Sequence, residues 1–202
     1  ERIARIIQGV GSNYDTDLFT PIFTRISELT GTPYGASDSQ SDIAFRVIAD
    51  HVRAVSISLA DGALPSNTGR GYVLRRLIRR AARFGKQALG QEEVFLYKIV
   101  GTVCDVLAPA FPELAARREH IELLVQDEEA SFSRTLGRGL SKFSELTASL
   151  EAGGELDGRA AYELYATYGF PRDLVEQMAR EREISLDSDG WDSAQALHQN
   201  AS

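Results

Sequence analysis

Apolar residues recur along this chain at intervals of three and four, and alternation with period two never lasts beyond a few positions, so the pattern predicts helices almost throughout. Ile3, Ile6 and Ile7 mark a first short helix, which Gly9 and Gly11 break before an Asx-rich turn. Asp17 or Thr20 suits the cap of a second, with Pro21 in its first turn, Ile22, Phe23, Ile26 and Leu29 as its buried stripe and Gly31 as its stop. Residues 31–40, GTPYGASDSQ, carry no periodicity and read as a linker and the main boundary. Ser41 or Asp42 then caps a helix to about Ala60, with Phe45, Ile48, Val52, Val55 and Leu59 facing one way and Arg46, Asp50 and Arg53 the other; Gly62 closes it.

Beyond residue 64 the periods stay helical. Residues 92–107 are apolar on more than one face, which predicts a helix buried at the centre of its domain, and Pro109 and Pro112 separate it from the next. The line Ile121, Leu124, Val125, Phe132, Leu136, Leu140, Phe143, Leu146 and Leu150 keeps helical spacing through residues 113–150, which predicts one long helix weakened or bent near Gly137 and Gly139. Asp157 suits the cap of a helix carrying Ala161, Leu164, Tyr165 and Tyr168; a further helix runs through Arg182, Ile184 to Leu186 allow a brief extended segment, and Asp189 or Ser188 caps a last helix with Trp191. The fold class expected is all-α: a multi-helix array with one long helix and at most a vestigial β-hairpin.

Charge changes this picture at one place. The 202-residue chain has a net charge of −7, yet residues 62–91 contain no acid and hold seven of its 22 basic residues, leaving 15 bases against 29 acids elsewhere. On a helix, Arg75, Arg76, Arg79, Arg80 and Arg83 fall in one arc of about 140°, opposite Val73, Leu74, Leu77, Ile78 and Ala81. So dense a stripe either meets a polyanion, whose phosphates accept guanidinium forks, or takes acids from neighbouring helices. The small residues and turn formers of residues 65–71 lead into this helix, and helix N-termini bind anions. Asp127, Glu128 and Glu129 lie at one level of the long helix and read as partners of the basic helix or as a solvated cluster rather than a catalytic pair.

Other chemistry is sparse. Cys104, the single cysteine, sits in the apolar run IVGTVCDVL and reads as a buried thiol, compatible with a reducing cytoplasm. Asp50 and His51 are neighbours and cannot converge on one metal or proton, and His120 and His198 lack companions at ligand spacing, so no metal is expected. No apolar run is long enough for a bilayer, and the charged opening ERIAR is no signal peptide. With no initiating Met and a start in mid-pattern, the chain reads as a piece of a longer protein.

The run SDIAFRVIADHVRAVSISLADGALPSNTGRGYVLRRLIRRAARFGKQALG at residues 41–90, with ERIARIIQGVGSNYDTDLF at 1–19, EEVFLYKIV at 92–100, EEASFSRTLGRGL at 128–140 and LDGRAAYELYATYGFPRDL at 156–174, closely resembles the alanyl-tRNA synthetases, in the helical region that follows their catalytic domain. The resemblance implies that residues 1–40 are the C-terminal remnant of a class II catalytic domain and residues 41–202 a helical domain recognising the tRNA acceptor stem. It implies an alanine–tRNA ligase as the parent, using ATP and Mg, with Arg2 matching an ATP-holding arginine of the third class II signature and with the family's zinc outside this chain. The fragment, lacking most of that active site, is expected not to aminoacylate.

In this family the region reads a guanine–uracil wobble pair in the acceptor stem of the alanine tRNA. Its readable edge is the shallow minor groove, where guanine's amine is a donor, so a short acceptor suits the reader. Asn67 matches the family's asparagine reader, although a turn or cap asparagine fits the residue equally well. The second reader is an aspartate in the motif written here ELYATYGFP, and this chain has Ala166 there, so the pair is read through Asn67 and water, or Glu163 or Asp173 substitutes, or discrimination is relaxed. Arg70, Arg75, Arg76, Arg79, Arg80 and Lys86 are the candidate phosphate contacts. The expected partners are that acceptor stem and the other synthetase domains, in the cytoplasm and without a membrane. The rival class is a free-standing basic helical module binding RNA or an acidic protein; a membrane role is disfavoured because the helix's apolar half is needed for the core.

Overall fold

The computed structural model describes residues 1–200, and the last two positions of the expected helical domain lie outside them. Among the described residues ten α-helices follow one another: α1 (Arg2–Gln8), α2 (Thr20–Thr30), α3 (Gln40–Ala60), α4 (Gly69–Leu89), α5 (Tyr97–Leu107), α6 (Pro112–Ala116), α7 (Arg118–Thr147), α8 (Gly158–Ala166), α9 (Arg172–Glu181) and α10 (Ser188–Asn200). The only strands among the described residues, β1 (Glu155–Leu156) and β2 (Ser185–Leu186), pair in parallel because α8 and α9 intervene. This is an all-α array with vestigial β structure. It divides into two compact units, Glu1–Ala130 and Ser131–Ser202, with α7 contributing to both.

The first unit is built around α3, which packs on α2, α4, α5 and α6. Phe45, Ile48, Val52, Val55 and Leu59 are all buried, as their spacing requires. Residues 31–40 are ordered by packing and capping: Tyr34 lies 4.3 Å from Phe23 and 5.6 Å from Phe45, ring centre to ring centre, and the Asp42 carboxylate accepts from the backbones of Gly35 and Ser37 at 2.8 Å. Burial raises the Asp42 carboxyl, but these bonds and those from the Ser37 and Ser39 side chains outweigh it and hold it at about 2. The cap of α3 is Ser39, whose hydroxyl accepts from Asp42 N, so neither Ser41 nor Asp42 caps it. Likewise α2 begins after Phe19 without a side-chain cap, in place of Asp17 or Thr20. Arg53 departs from the polar side expected of it: it lies 4.2 Å over the Phe19 ring and pairs with Glu1 at 2.8 Å.

The long helix breaks at Arg117, between α6 and α7, and not at its glycines. Gly139 serves contact instead of bending, since a Cβ there would stand 2.3 Å from the Phe170 ring. In the second unit Phe132 meets Phe170 edge-on at 5.3 Å, and Thr135 Oγ1 donates to the Tyr168 carbonyl at 2.7 Å. Asp157 caps α8 as expected, accepting from the backbones of Arg159 and Ala160. Asp187 takes the role foreseen for Ser188 or Asp189: its carboxylate accepts from Gly190 N at the start of α10 and from Gly158 N at the start of α8, tying the two helices together. Trp191 is buried between them, 5.4 Å from Tyr162.

Candidate nucleic-acid interface

The turn before α4 is shaped by Gly71. A Cβ at this position would stand 2.2 Å from the Leu64 carbonyl and 2.4 Å from Ser66 Oγ, so its absence lets residues 64–66 fold back on the first turn of the helix. Ser66 Oγ donates to the Thr68 carbonyl at 2.8 Å, closing the loop below Asn67. Thr68 is the N-cap residue of α4 and makes no side-chain capping bond. Asn67 and Arg70 are exposed on this turn, and Lys86 near the other end of α4 pairs with Glu92.

The arginine arc of α4 is not a solvent face. Leu74, Ile78 and Ala81 are buried as expected, but Val73 is exposed and none of Arg75, Arg76, Arg79, Arg80 and Arg83 is, with Arg83 only 2% exposed. Acid from another helix accounts for part of this. Glu128 on α7, 8% exposed, accepts Arg75 Nε at 3.0 Å with one oxygen and Arg79 Nε and Nη2 at 2.8 and 2.7 Å with the other. Arg75 also donates Nη1 to Asn67 Oδ1. Arg76 lies 5.8 Å over the Tyr72 ring and Arg83 4.6 Å over the Phe84 ring.

The three acids of α7 separate. Asp127 is exposed, Glu128 holds the arginines, and Glu129, 1% exposed, accepts from Phe95 N and Leu96 N at 3.1 and 2.9 Å, capping the start of α5. Burial pushes the Glu129 carboxyl up to about 7, with those two backbone bonds and Lys98 pulling the other way. His51 on α3 is pushed down to about 4, first by burial and then by the Arg80 charge. Asp50 instead accepts from the Tyr14 hydroxyl at 2.8 Å, so the adjacent pair faces different partners. Cys104 is buried, its thiol raised above the usual range by that burial.

In the second unit Ala166 ends α8 on an exposed position. Of its neighbours in sequence, Glu163 pairs with Lys142 at 3.4 Å, while Asp173 lies in the first turn of α9. Arg2 is exposed on α1 and lines a surface concavity with Arg5, Ile6, Gly9, Val10 and Asn13. No described helix is long and apolar enough to cross a membrane, and no group of three or more His, Cys, Asp or Glu is gathered for a metal among the described residues.

Two features were not legible in the sequence. The Arg75 to Asn67 bond spans eight residues across a turn, outside the three- and four-residue spacings that flag helical pairs, and Gly71 carried no sign of the carbonyl it accommodates. The stacking of Arg75 and Arg79 on one acid had a partial signal, because the pair has i, i+4 spacing and Glu128 stood among the possible partners.

Comparison with known proteins supplies the remaining context. A family model described as tRNA synthetases class II (A) matches residues 1–202. The chain is 47% identical over 203 residues to an alanine–tRNA ligase of Chlorobium chlorochromatii, with 99% of this chain and 23% of that protein covered. It is 46% identical over 204 residues to the alanine–tRNA ligase of Cytophaga hutchinsonii, covering 100% and 23%, and 49% identical over 195 residues to that of Chlorobium luteolum, covering 95% and 22%. The chain thus spans under a quarter of the length of these relatives.

Proposed function

From the chain's membership of the class II (A) tRNA synthetases, we propose that it is the part of an alanine–tRNA ligase that receives the tRNA acceptor stem. In this reading residues 1–40 correspond to the end of the catalytic domain and residues 41–202 to the recognition domain. The parent enzyme attaches alanine in the cytoplasm, using ATP and Mg, with its zinc held outside these residues and its remaining domains as partners. The observation that carries the reading is the presentation of Asn67: an exposed amide on a tight turn at the head of the cationic helix, held from behind by Arg75.

The chemistry follows from what each group can donate or accept. Arg70 and the outward edges of Arg76, Arg79 and Arg80, with Lys86, supply positive potential that draws in and registers the phosphate backbone without reading sequence. Asn67 then meets the minor-groove edge. In a guanine–uracil wobble the guanine amine is not used within the pair, and a side-chain oxygen can accept from it. Ala166 has no side-chain acceptor, so Asn67 carries the discrimination that the family divides between two residues. ATP and alanine are handled by residues beyond this chain, and Arg2 contributes charge to the nucleotide only in the assembled enzyme.

The test is binding of isolated acceptor-stem RNA, an unrelated RNA duplex and anionic vesicles at two salt concentrations, together with alanine-dependent pyrophosphate exchange. The reading expects preference for the acceptor stem and no exchange. Exchange at the rate of a complete synthetase, or equal binding to vesicles and both RNAs, contradicts it; the second result would favour a general basic module.

A further inference from the structure

Resting on Asn67 as the base-pair reader, we propose that Arg75 and Glu128 are positioning residues that fix which atoms of the Asn67 amide face the minor groove. A guanidinium has only donors, so the amide atom in contact with Arg75 is the oxygen, and the nitrogen points elsewhere. The same guanidinium is held at its Nε by Glu128 Oε2 at 3.0 Å. Glu128 is fixed in turn, because its other oxygen is engaged by Arg79 and it is 8% exposed on α7. The result is a chain of contacts from one helix through a second to a turn.

An exposed asparagine has a broad terminal torsion and presents donor or acceptor almost indifferently. Holding its oxygen removes that freedom and leaves one lone pair and both N–H groups facing outward. The lone pair suits the unused amine of a wobble guanine, and the N–H groups suit the uracil O2 or a ribose 2′-hydroxyl alongside. A guanine–cytosine pair spends that amine on cytosine and offers less to the same amide. Arg75 therefore acts on selectivity through Asn67, whereas a phosphate contact would raise affinity for every stem alike.

The experiment compares the chain with Arg75→Lys, Arg75→Gln and Asn67→Ala, measuring affinity for acceptor stems carrying a guanine–uracil or a guanine–cytosine pair, and the side-chain amide resonances of Asn67. Lysine keeps a cation but cannot fork between two oxygens. Arg75→Lys is expected to hold affinity for the guanine–cytosine stem within about two-fold, to cut the preference to that of Asn67→Ala, a fall of about five-fold or more, and to move the Asn67 amide resonances. Equal weakening on both stems by Arg75→Gln, with the preference and the resonances unchanged, overturns the proposal and makes Arg75 a phosphate contact. If Asn67→Ala itself leaves the preference intact, the reading of Asn67 fails and the proposal falls with it, a failure told from the first by which variant is silent.

Discussion

At the scale of single residues, two titrating groups of the first unit, the buried Glu129 and the half-buried His51, oppose one another. Glu129 sits at about 7 in the fold, against about 4.3 in an unfolded chain, so the fold takes up a proton the unfolded chain releases. Its contribution is complete below about pH 4.3 and is lost as pH rises through 7. His51 sits at about 4 against about 6.5, so its contribution is complete above about pH 6.5 and is lost as pH falls through 4. Each is worth on the order of 3 to 4 kcal/mol over its window, and they offset each other between about pH 4.5 and 6.5. Relative to the parent, Glu129→Gln should therefore lose stability as pH falls across that window, and His51→Gln should gain it. Urea midpoints at pH 4.5, 5.5 and 6.5 check this; two variants with parallel profiles would show that neither group titrates as its surroundings require. Gly71→Ala is a third case, since the Leu64 carbonyl must move to admit the methyl. It should weaken preference for the wobble stem while far-ultraviolet circular dichroism still reports a helical fold.

At the scale of elements, the arginines of α4 divide into those that hold the fold and those that do not. Removing Arg79 strips two bonds from a buried carboxylate, so Arg79→Gln should cost about 1 to 3 kcal/mol of stability. Arg70→Gln, on an exposed turn, should leave the melting temperature within a degree or two and make the slope of log affinity against log salt shallower by something under one unit. Thermal melts and salt titrations of the two variants separate these outcomes, and equal destabilisation by both would contradict the division. Sequence pattern gave the helices because burial imposes their period, and it gave stops such as Gly9 and Gly31, whose left-handed conformations end α1 and α2. It could not rank Ser39 against Ser41 as a cap, since one turn of either fits the same residues. Nor could it tell an arginine stripe facing RNA from one facing acid, because Glu128 lies 49 residues from Arg79 in the chain. The candidate site was legible as a charge imbalance and an Asn-bearing turn; the bond that orients the asparagine was not.

At the scale of the whole molecule, an acidic chain of net charge −7 keeps one acid-free stretch, and part of its positive charge is spent on holding α4 to α7. What remains at the head of α4 is a small number of exposed groups, Asn67 and Arg70 foremost, so in the proposed reading selectivity rests on few contacts. This predicts a chain whose affinity for RNA is modest and salt-dependent but whose choice between stems is not, because the base contact releases no counterions. Ala166→Asp should sharpen that choice if α8 comes within reach of the minor groove, and Asn67→Ala should abolish it. The most direct measurement is competition between acceptor stems differing only in the wobble pair, bound to the chain at two salt concentrations. The account predicts that the guanine–uracil stem wins by about five-fold or more at both, with Asn67→Ala erasing the difference; equal affinity for the two stems, or a preference that survives Asn67→Ala, would contradict it.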